Sequence, residues 1–380
     1  MAMELDQVFV IDESSEEVFG AAYQKMEAAR AVGDERGRAL GLIKIADAHV
    51  TYGNVYEAES SVAEAMGACS DMKFEEGRAA AMNVMAKVTL AKGGADEEDL
   101  EEAVDSATDA LKLFRKLGFR KGEAAALTTL ASVYQASKKA ALAIKSAKEA
   151  LAIFAELGEK RAMAEVYDVV KSAYLAKCPP ESFLAAKQVE KAMALYSEMG
   201  DKSKEAASMH SLGLVEKQAG DKKKAAAALQ KAKDLAAEAG DFKGQAAVLG
   251  TMMAMLLDAK LYSDAVKVGK EIISVFNNAG DVPEQAMAML KLGDVMMKND
   301  DYERAEKLSQ AAMGLFASVN HMDGMRQTKE LSDGAKHAKA VAEIEASIAQ
   351  ASSAMHVPTT LIVDPGMNKR MSAAMATAMA

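Results

Sequence analysis

The sequence has few of the residues on which disulfide-bonded and zinc-binding domains depend. Of its 380 residues two are cysteines, five are prolines and none is tryptophan, and aromatic residues make up 5%. Cys69 and Cys178 are too few for a disulfide framework and lack zinc-ligand spacing, which favours a reducing compartment. The histidines have no second potential ligand at metal spacing either. We therefore expect neither disulfides nor a bound metal.

Charge and hydropathy argue against two further classes of protein. The formal net charge is −10 and the pI is about 5.3, whereas affinity for nucleic acid depends on positive charge that neutralises phosphates. No window approaches the roughly 18 uncharged apolar residues of a membrane span. The first residues, Met1–Asp6, are acidic and contain no apolar run, so we expect no secretory signal. These features predict a soluble, cytoplasmic protein with no nucleic-acid partner and no membrane insertion.

The chain does contain a repeat, in which three alanine positions recur at a spacing of 40 residues through seven consecutive copies. Of these 21 positions only Ile272 is not alanine. The spacing widens twice, at the insertions Ala95–Leu100 and Cys178–Pro180. Small residues in constant register with variable loops predict a stack of helical hairpins. The three series are Ala39, Ala79, Ala124, Ala164, Ala206, Ala246 and Ala286; Ala58, Ala103, Ala143, Ala185, Ala225, Ala265 and Ala305; and Ala65, Ala110, Ala150, Ala192, Ala232, Ile272 and Ala312.

The repeat from Gly118 to Gly158 predicts two helices. Apolar residues follow a helical stripe through Ala124–Ser137, a turn follows, and a second helix runs from Ala140 to Leu157. Each bounding glycine ends a helix, because glycine adopts the left-handed conformation of a C-terminal cap at little cost. The residues that end the second helices in this way are Gly33, Gly118, Gly158, Gly200, Gly240, Gly280 and Asn320. Lys73 takes the same position in the one remaining case.

The junctions between repeats carry two further signals. Aspartate follows four of the stops, where its carboxylate can cap the next helix: Asp34, Asp201, Asp241 and Asp281. Four residues before the stop most repeats have a bulky aromatic side chain, which we interpret as a wedge between successive hairpins: Phe114, Phe154, Tyr196, Phe276 and Phe316. Cys69 and Ala236 take this position in the other two repeats.

These features resemble the tetratricopeptide repeat (TPR), whose signature is a Leu-Gly pair and a tyrosine on the first helix and two alanines on the second. Leu212-Gly213 with Ala225 and Ala232 matches this signature, and Leu292-Gly293 with Ala305 matches it better, although Glu216 and Met296 stand where tyrosine is usual. The resemblance implies an all-α fold, a right-handed α-α superhelix built as a TPR-like solenoid of antiparallel helix pairs. The repeat length is similar to the longer repeats of kinesin light chains and cell-polarity adaptors.

We divide the chain into an N-terminal extended tail (1–13), an N-terminal capping helix (14–33), seven TPR-like repeats (34–321), C-terminal capping helices (322–355) and a C-terminal tail (356–380). Gln7–Asp12 and Val357–Gly366 are rich in β-forming residues. Several interpretations of these ends stay open: they are disordered, they pair with another chain, or they pack back into the protein's own groove.

No group of residues predicts catalysis. His49 occupies a repeat's tyrosine position, which is typical of a core or hairpin-contact residue. No glycine-rich phosphate loop follows a strand. The acidic residues between 96 and 102 and the basic run Lys222–Lys224 are typical of solvated turns. We therefore expect a non-enzymatic protein without a cofactor.

The TPR resemblance implies a binding groove lined by the first helices, with contacts at the second, fifth, ninth, twelfth and thirteenth residues from the opening alanine. The matching residues are polar in the N-terminal repeats and apolar with a charged border in the C-terminal ones. Leu40, Lys44 and Val84 replace the residues that clamp a terminal carboxylate in chaperone-binding members, so we expect no Hsp70/Hsp90 co-chaperone. The implied groove residues are Asn83, Lys87, Thr128, Ser132, Gln135, Asp168, Ser172, His210, Leu214, Lys217, Gly250, Ala254, Leu257, Asp258, Leu290, Asp294, Met297 and Lys298.

The leading hypothesis is a scaffold or adaptor that binds a peptide or an amphipathic helix of a partner protein in this groove. One alternative is a regulatory module that senses a small ligand, similar to the repeat domains of bacterial transcription activators or peptide-pheromone receptors. The other is a structural protein that assembles into homo-oligomers through its termini.

Overall fold

The structure, a computed structural model, describes residues 5–8, 15–92, 96–177 and 179–354. Within these ranges the chain forms 17 α-helices and no β-strand. In chain order they are α1 (Leu5–Val8), α2 (Ser15–Ala31), α3 (Glu35–Thr51), α4 (Val55–Asp71), α5 (Glu75–Ala91), α6 (Glu97–Leu117), α7 (Arg120–Ala136), α8 (Ala140–Leu157), α9 (Lys160–Leu175), α10 (Ser182–Met199), α11 (Lys202–Gln218), α12 (Lys222–Glu238), α13 (Phe242–Asp258), α14 (Tyr262–Ala279), α15 (Val282–Lys298), α16 (Tyr302–Ser318) and α17 (Met322–Ala354).

The helices α3 to α16 follow one another as seven pairs, in which the odd-numbered helix is the first and the even-numbered helix the second of each repeat. The chain divides into two compact parts, Met1–Gly244 and Gln245–Ala380, with the boundary inside α13. We call them the N-terminal and the C-terminal array. Each is an all-α array of antiparallel helix pairs, as the alanine register predicts.

The repeated alanines explain how closely these helices pack. All 21 repeat positions are buried, and the largest exposed fraction among them is 8%, at Ala246 and Ile272. A methyl group at these positions lets two backbones approach closely, whereas a longer side chain would hold them apart. The register therefore marks the contacts within and between hairpins, which confirms its interpretation from sequence.

The helix junctions confirm the predicted stops and caps. The six glycine stops have positive φ, and so do Asn320 (φ 55°) and Lys73 (φ 52°), so the backbone of the repeat imposes this conformation even without glycine. The side chains of Asp34, Asp201, Asp241 and Asp281 accept hydrogen bonds from the backbone N–H groups of Gly37, Lys204, Gly244 and Glu284. The first helices of these repeats thus begin on a capped N-terminus.

The aromatic wedges are buried, and one of them explains why a glycine stands in the first turn of the helix that follows it. Phe114 is completely buried, and a Cβ added at Gly122 would lie 2.6 Å from its ring and 2.5 Å from that of Phe119. Gly122 lies inside α7, which begins at Arg120 rather than at the predicted Ala124. The glycine is needed for close packing in the first helical turn, and it does not delay the start of the helix.

Both ends differ from the prediction of extended tails and several caps. Leu5–Val8 is helical rather than extended, because its apolar side chains pack against other helices. The segment after the last repeat is one helix, α17, of 33 residues rather than several. Residues 9–12 of the predicted N-terminal strand, the loop residue Cys178 and the segment Val357–Gly366 lie outside the described residues.

Candidate protein-binding faces

In the N-terminal array the first helices form a continuous layer. α3 packs on α5, α5 on α7 and α7 on α9, in addition to the contacts that each makes with its own second helix. A layer of this kind places equivalent residues of consecutive repeats side by side. We call its outward surface the N-terminal face.

Polar contacts on this face join consecutive repeats. Lys87 Nζ on α5 lies 2.7 Å from Asp47 Oδ1 on α3. Lys171 Nζ on α9 lies 2.8 Å from Asp168 Oδ1 on the same helix and 3.5 Å from Ser211 Oγ on α11. Side chains from four first helices therefore interact across the repeat boundaries.

The charges of several of these residues act on Glu165 of α9. Burial raises its pKa, and the negative charges of Asp47 and Asp168 act in the same direction. The positive charges of Lys87 and Lys204 oppose this change in pKa. These charged side chains come from α3, α5, α9 and α11, so side chains of several repeats lie near Glu165. We call Asp47, Lys87, Glu165, Asp168 and Lys204 the charged cluster.

Two of the predicted groove residues, Lys87 and Asp168, belong to this cluster, and sequence reasoning missed the other three members. Glu165 stands at the second position of its repeat and Asp47 at the ninth position of another. Both are positions at which the TPR resemblance predicts binding residues, so consistent use of that register would have included them. Lys204 precedes the opening alanine of its repeat, and no sequence signal distinguishes it.

The other predicted polar residues of the N-terminal array lie in three different environments. The hydroxyls of Thr128, Ser132 and Ser172 donate to carbonyls one turn earlier in their own helices, at 2.9, 3.2 and 3.0 Å. Gln135 is half-buried. Asn83 is 0% exposed, and neither its side-chain nitrogen nor its oxygen is hydrogen-bonded to any described residue.

Further along this array, α11 carries the three remaining predicted residues. Leu214 is 44% exposed, whereas Lys217 and His210 are half-buried. Burial lowers the pKa of His210, which favours its neutral form.

The predicted residues of the C-terminal array divide into exposed and packed groups. Leu257 and Met297 are half-buried and pack against one buried cluster of this array, whereas Leu290 is 6% exposed and belongs to a second cluster with Ala286 and Phe316. The exposed residues among those predicted are Ala254, Asp258, Asp294 and Lys298. Desolvation raises the pKa of Asp294, and the positive charge of Lys298 opposes this rise.

Gly250 on α13 has open space beside its Cα atom. A Cβ added there would have no heavy atom within 4 Å. Gly250, Ala254 and Met297 take predicted binding positions on the first helices α13 and α15, and we call these three residues the C-terminal face. It is apolar and has a charged border, and the space at Gly250 makes it accessible to a ligand side chain.

The described residues give no support for catalytic or metal chemistry. Burial raises the pKa of the Cys69 thiol to about 11, so it carries little thiolate at neutral pH. The ring of His49 packs edge-on against Phe19 at 4.6 Å, which confirms a hairpin-contact role. In the described part of the chain no three His, Cys, Asp or Glu side chains are arranged to hold a metal ion. Across the same ranges, every helix is too short or too polar to cross a bilayer.

Comparison with known proteins bears on the fold. No protein-family model matches the sequence, and no curated protein matches it. Among solved structures, the chain is similar to a signal-transduction ATPase (STAND protein) with a tetratricopeptide repeat sensor from Pyrococcus horikoshii, at a TM-score of 0.53 and 15% identity over 89% of this chain. The match spans about 55% of that protein.

Two further similar structures are the apo form of RapI and BtubC (BKLC) from P. vanneervenii. RapI has a TM-score of 0.52 and 12% identity, and the match covers 85% of this chain and 97% of RapI. BtubC has a TM-score of 0.47 and 23% identity, and the match covers 60% of this chain and 92% of BtubC. The fold is that of TPR-like helical-repeat proteins, as the sequence motifs predict.

Proposed function

We propose that the protein is a non-enzymatic scaffold or adaptor that binds a peptide or an amphipathic helix of a partner protein. The observation that carries this proposal is the charged cluster, in which four first helices direct side chains of both signs to one surface. Exposed ion pairs contribute little to stability, typically about 0–1 kcal/mol each. A ligand with polar groups can therefore exchange partners with this cluster at small cost to the fold.

The C-terminal face suits a different part of such a ligand. Met297 is flexible and polarisable, and the free space at Gly250 accepts an additional side chain. An amphipathic helix that lays its apolar side on Gly250, Ala254 and Met297 would keep its polar side near Asp294 and Lys298. This arrangement corresponds to helix-in-groove recognition.

The proposal is tested with peptides selected from a random display library against the full-length protein, followed by affinity measurements on purified variants. We expect Lys87→Ala to weaken a peptide bound to the N-terminal face by about tenfold, because it removes a charge-assisted contact. Lys145→Ala is the matched control, since Lys145 is exposed on the second helix α8. Equal effects of the two substitutions would place binding outside the N-terminal face.

The C-terminal face has its own test. Gly250→Trp fills the free space on α13, and Gly314→Trp adds the same side chain on the second helix α16, where a Cβ also has no neighbour within 4 Å. We expect Gly250→Trp alone to abolish binding of apolar peptides, with circular dichroism unchanged in both variants. Binding that survives Gly250→Trp would exclude this face.

A ligand-sensing module is the alternative regulatory function. The repeats of the similar P. horikoshii protein are described as a sensor, which makes this alternative reasonable. A sensor is expected to change conformation when the selected peptide binds, whereas an adaptor is not. Small-angle scattering with and without a peptide at saturation distinguishes the two.

Self-assembly is a second candidate function, and one observation favours it. Val341, Ile344 and Ile348 form an exposed stripe on α17, and the two isoleucines are 60% and 54% exposed. We expect Ile344→Glu with Ile348→Glu to dissociate any oligomer seen by light scattering, and Ala349→Glu, off the stripe, to leave it intact. A wild-type protein that is monomeric throughout the accessible concentration range would reject this candidate.

A further inference from the structure

The short helix α1 contacts helices that are not its neighbours in the sequence. It precedes α2 by six residues, 9–14, yet it lies against α3 and α5. These are the first helices of the first two repeats, and their outward surface is part of the N-terminal face. The beginning of the chain therefore covers one end of the face that we propose as a binding surface.

The contact is made by apolar side chains at helical spacing. Val8 is 2% exposed and belongs to the same hydrophobic cluster as Leu40, Ile43 and Val84 of α3 and α5. Leu5, one turn earlier, is half-buried against this cluster. A helix of four residues does not persist by itself in water, because helix nucleation is unfavourable. The surface of α3 and α5 must therefore stabilise the helical form of α1.

A polar contact fixes the position of α1 from the other side. Lys25 Nζ on α2 donates a hydrogen bond to Gln7 Oε1 at 3.0 Å. The segment thus presents two apolar residues to the first helices and an amide to α2. This is the pattern of a bound amphipathic peptide.

The helix α5, which α1 contacts, also carries a buried polar side chain. Asn83 lies on α5 one turn before Lys87, so it shares the side of α5 from which Lys87 reaches Asp47. Its buried amide has no hydrogen-bond partner among the described residues, which is unfavourable. An occupant that offers Asn83 both a donor and an acceptor would bind this surface better than α1 does. We infer from this that α1 is an exchangeable occupant.

We propose that Leu5–Val8 is an intramolecular ligand of the α3–α5 surface, which a partner segment with two apolar residues at the same helical spacing must displace. This inference rests on the proposed peptide-binding function and adds its regulation. Because α1 belongs to the same chain as α3 and α5, its effective concentration at their surface is on the order of millimolar. Only partners that bind more strongly than this local competitor, or that bind after its release, occupy the surface.

The test uses the full-length protein and a labelled synthetic peptide that contains residues 1–12. Wild-type protein is compared with the double variant Leu5→Asp, Val8→Asp by fluorescence anisotropy. We expect the variant to bind the peptide at least about tenfold more tightly, because a competing internal ligand reduces the population able to bind. A peptide with Val8→Asp should bind neither protein. The exposed substitution Tyr56→Asp on α4 controls for the added charge.

Hydrogen exchange locates the effect. In the double variant the amides of α3 and α5 should lose protection, which the added peptide should restore, while those of α14–α16 remain unchanged. Equal affinity of the peptide for wild type and variant overturns the proposal. Lost protection without peptide binding also overturns it, because α1 would then be a structural cap only. A wild-type dimer that the double substitution dissociates would mean that α1 is exchanged between copies, which rejects the intramolecular form.

This outcome is separate from that of the proposed function. Peptides from the display library that respond to Lys87→Ala or Gly250→Trp would still support binding through the faces if the residue 1–12 peptide fails. Conversely, binding of the residue 1–12 peptide to the variant would stand even if the library yields no ligand.

Discussion

Lys87 and Asp47 occupy the same position, the ninth, of two consecutive repeats, and their side chains meet with Nζ 2.7 Å from Oδ1. Lys87 lies on α5 and Asp47 on α3, and these are the two helices that α1 contacts. The ion pair thus links repeats at the place where we propose that ligands bind.

We expect this pair to contribute little to the stability of the fold. The side chains of Lys87 and Asp47 retain 36% and 27% of their exposure, so water screens their attraction. A double-mutant cycle with Lys87→Ala and Asp47→Ala should give a coupling free energy of at most about 1 kcal/mol, decreasing at high salt. Coupling of several kcal/mol would show that the pair is structural and is not free to exchange with a ligand.

Gly122 and Gly67 should respond to alanine in opposite directions. A Cβ at Gly122 would lie 2.6 Å from the buried ring of Phe114, whereas a Cβ at Gly67 on α4 has no neighbour within 4 Å. We expect Gly122→Ala to destabilise by about 1–3 kcal/mol through overpacking. Gly67→Ala should stabilise by up to about 1 kcal/mol through helix propensity. Chemical denaturation followed by circular dichroism measures both, and changes of the same sign would contradict this account of the wedge.

Ala143 and Ala141 make a second matched pair, on α8. Ala143 is completely buried at a repeat position, whereas Ala141 is exposed. Ala143→Leu should cost about 1–3 kcal/mol because the helices of the pair cannot separate without losing other contacts. Ala141→Leu should change stability by less than about 0.5 kcal/mol. If Ala143→Leu is as well tolerated as Ala141→Leu, the alanine register does not set the helix spacing.

Glu165 should make the stability of the fold depend on pH. Burial raises its pKa above the ordinary value of 4.5, so the folded state holds this proton to higher pH than the unfolded state does. The free energy of unfolding should therefore fall as pH rises from the ordinary value through the folded pKa, and stay lower at neutral pH.

Glu165→Gln removes this dependence. We expect the variant to have a higher melting temperature than wild type at about pH 7 and a similar one at about pH 4, because glutamine resembles the protonated acid. Glu190→Gln, at an exposed position of α10, controls for the loss of one negative charge. A gain of the same size for both variants, or a gain for Glu165→Gln at acid pH only, would show that the half-buried carboxylate of Glu165 does not destabilise the fold.

The helices themselves were largely predictable because their signals are local and repeated. The bounds of α8 match the prediction, since Gly158 ends the helix and the apolar stripe marks its length. The start of α7 was missed because Gly122 resembles a turn residue, and the Phe114 ring that requires this glycine belongs to the preceding helix. The turn around Lys138 was predicted, but its left-handed backbone was not, because Lys138 and Lys260 have positive φ without the glycine that stands in the equivalent turns at Gly53 and Gly220.

For the candidate site, the repeat register predicted which positions lie on the first helices, but it did not predict their burial or their contacts. The repeat positions identified Lys87 and Asp168, but the burial of Asn83 and Leu290 depends on neighbours that the register does not name. The convergence of Lys204 and Asp47 on Glu165 arises from helices of three different repeats. Such convergence depends on how far each repeat is rotated relative to the next. The sequence of a single repeat does not predict this rotation.

By itself the sequence determined the helix pairs, their seven-fold repetition and the small residues at which they meet, because each of these follows from interactions within about one repeat length. Only the tertiary structure decided that the charges of separate repeats meet at Glu165 and that Leu5–Val8 is helical against α3 and α5. A four-residue segment has no stable conformation of its own, so the surface that it contacts selects its fold.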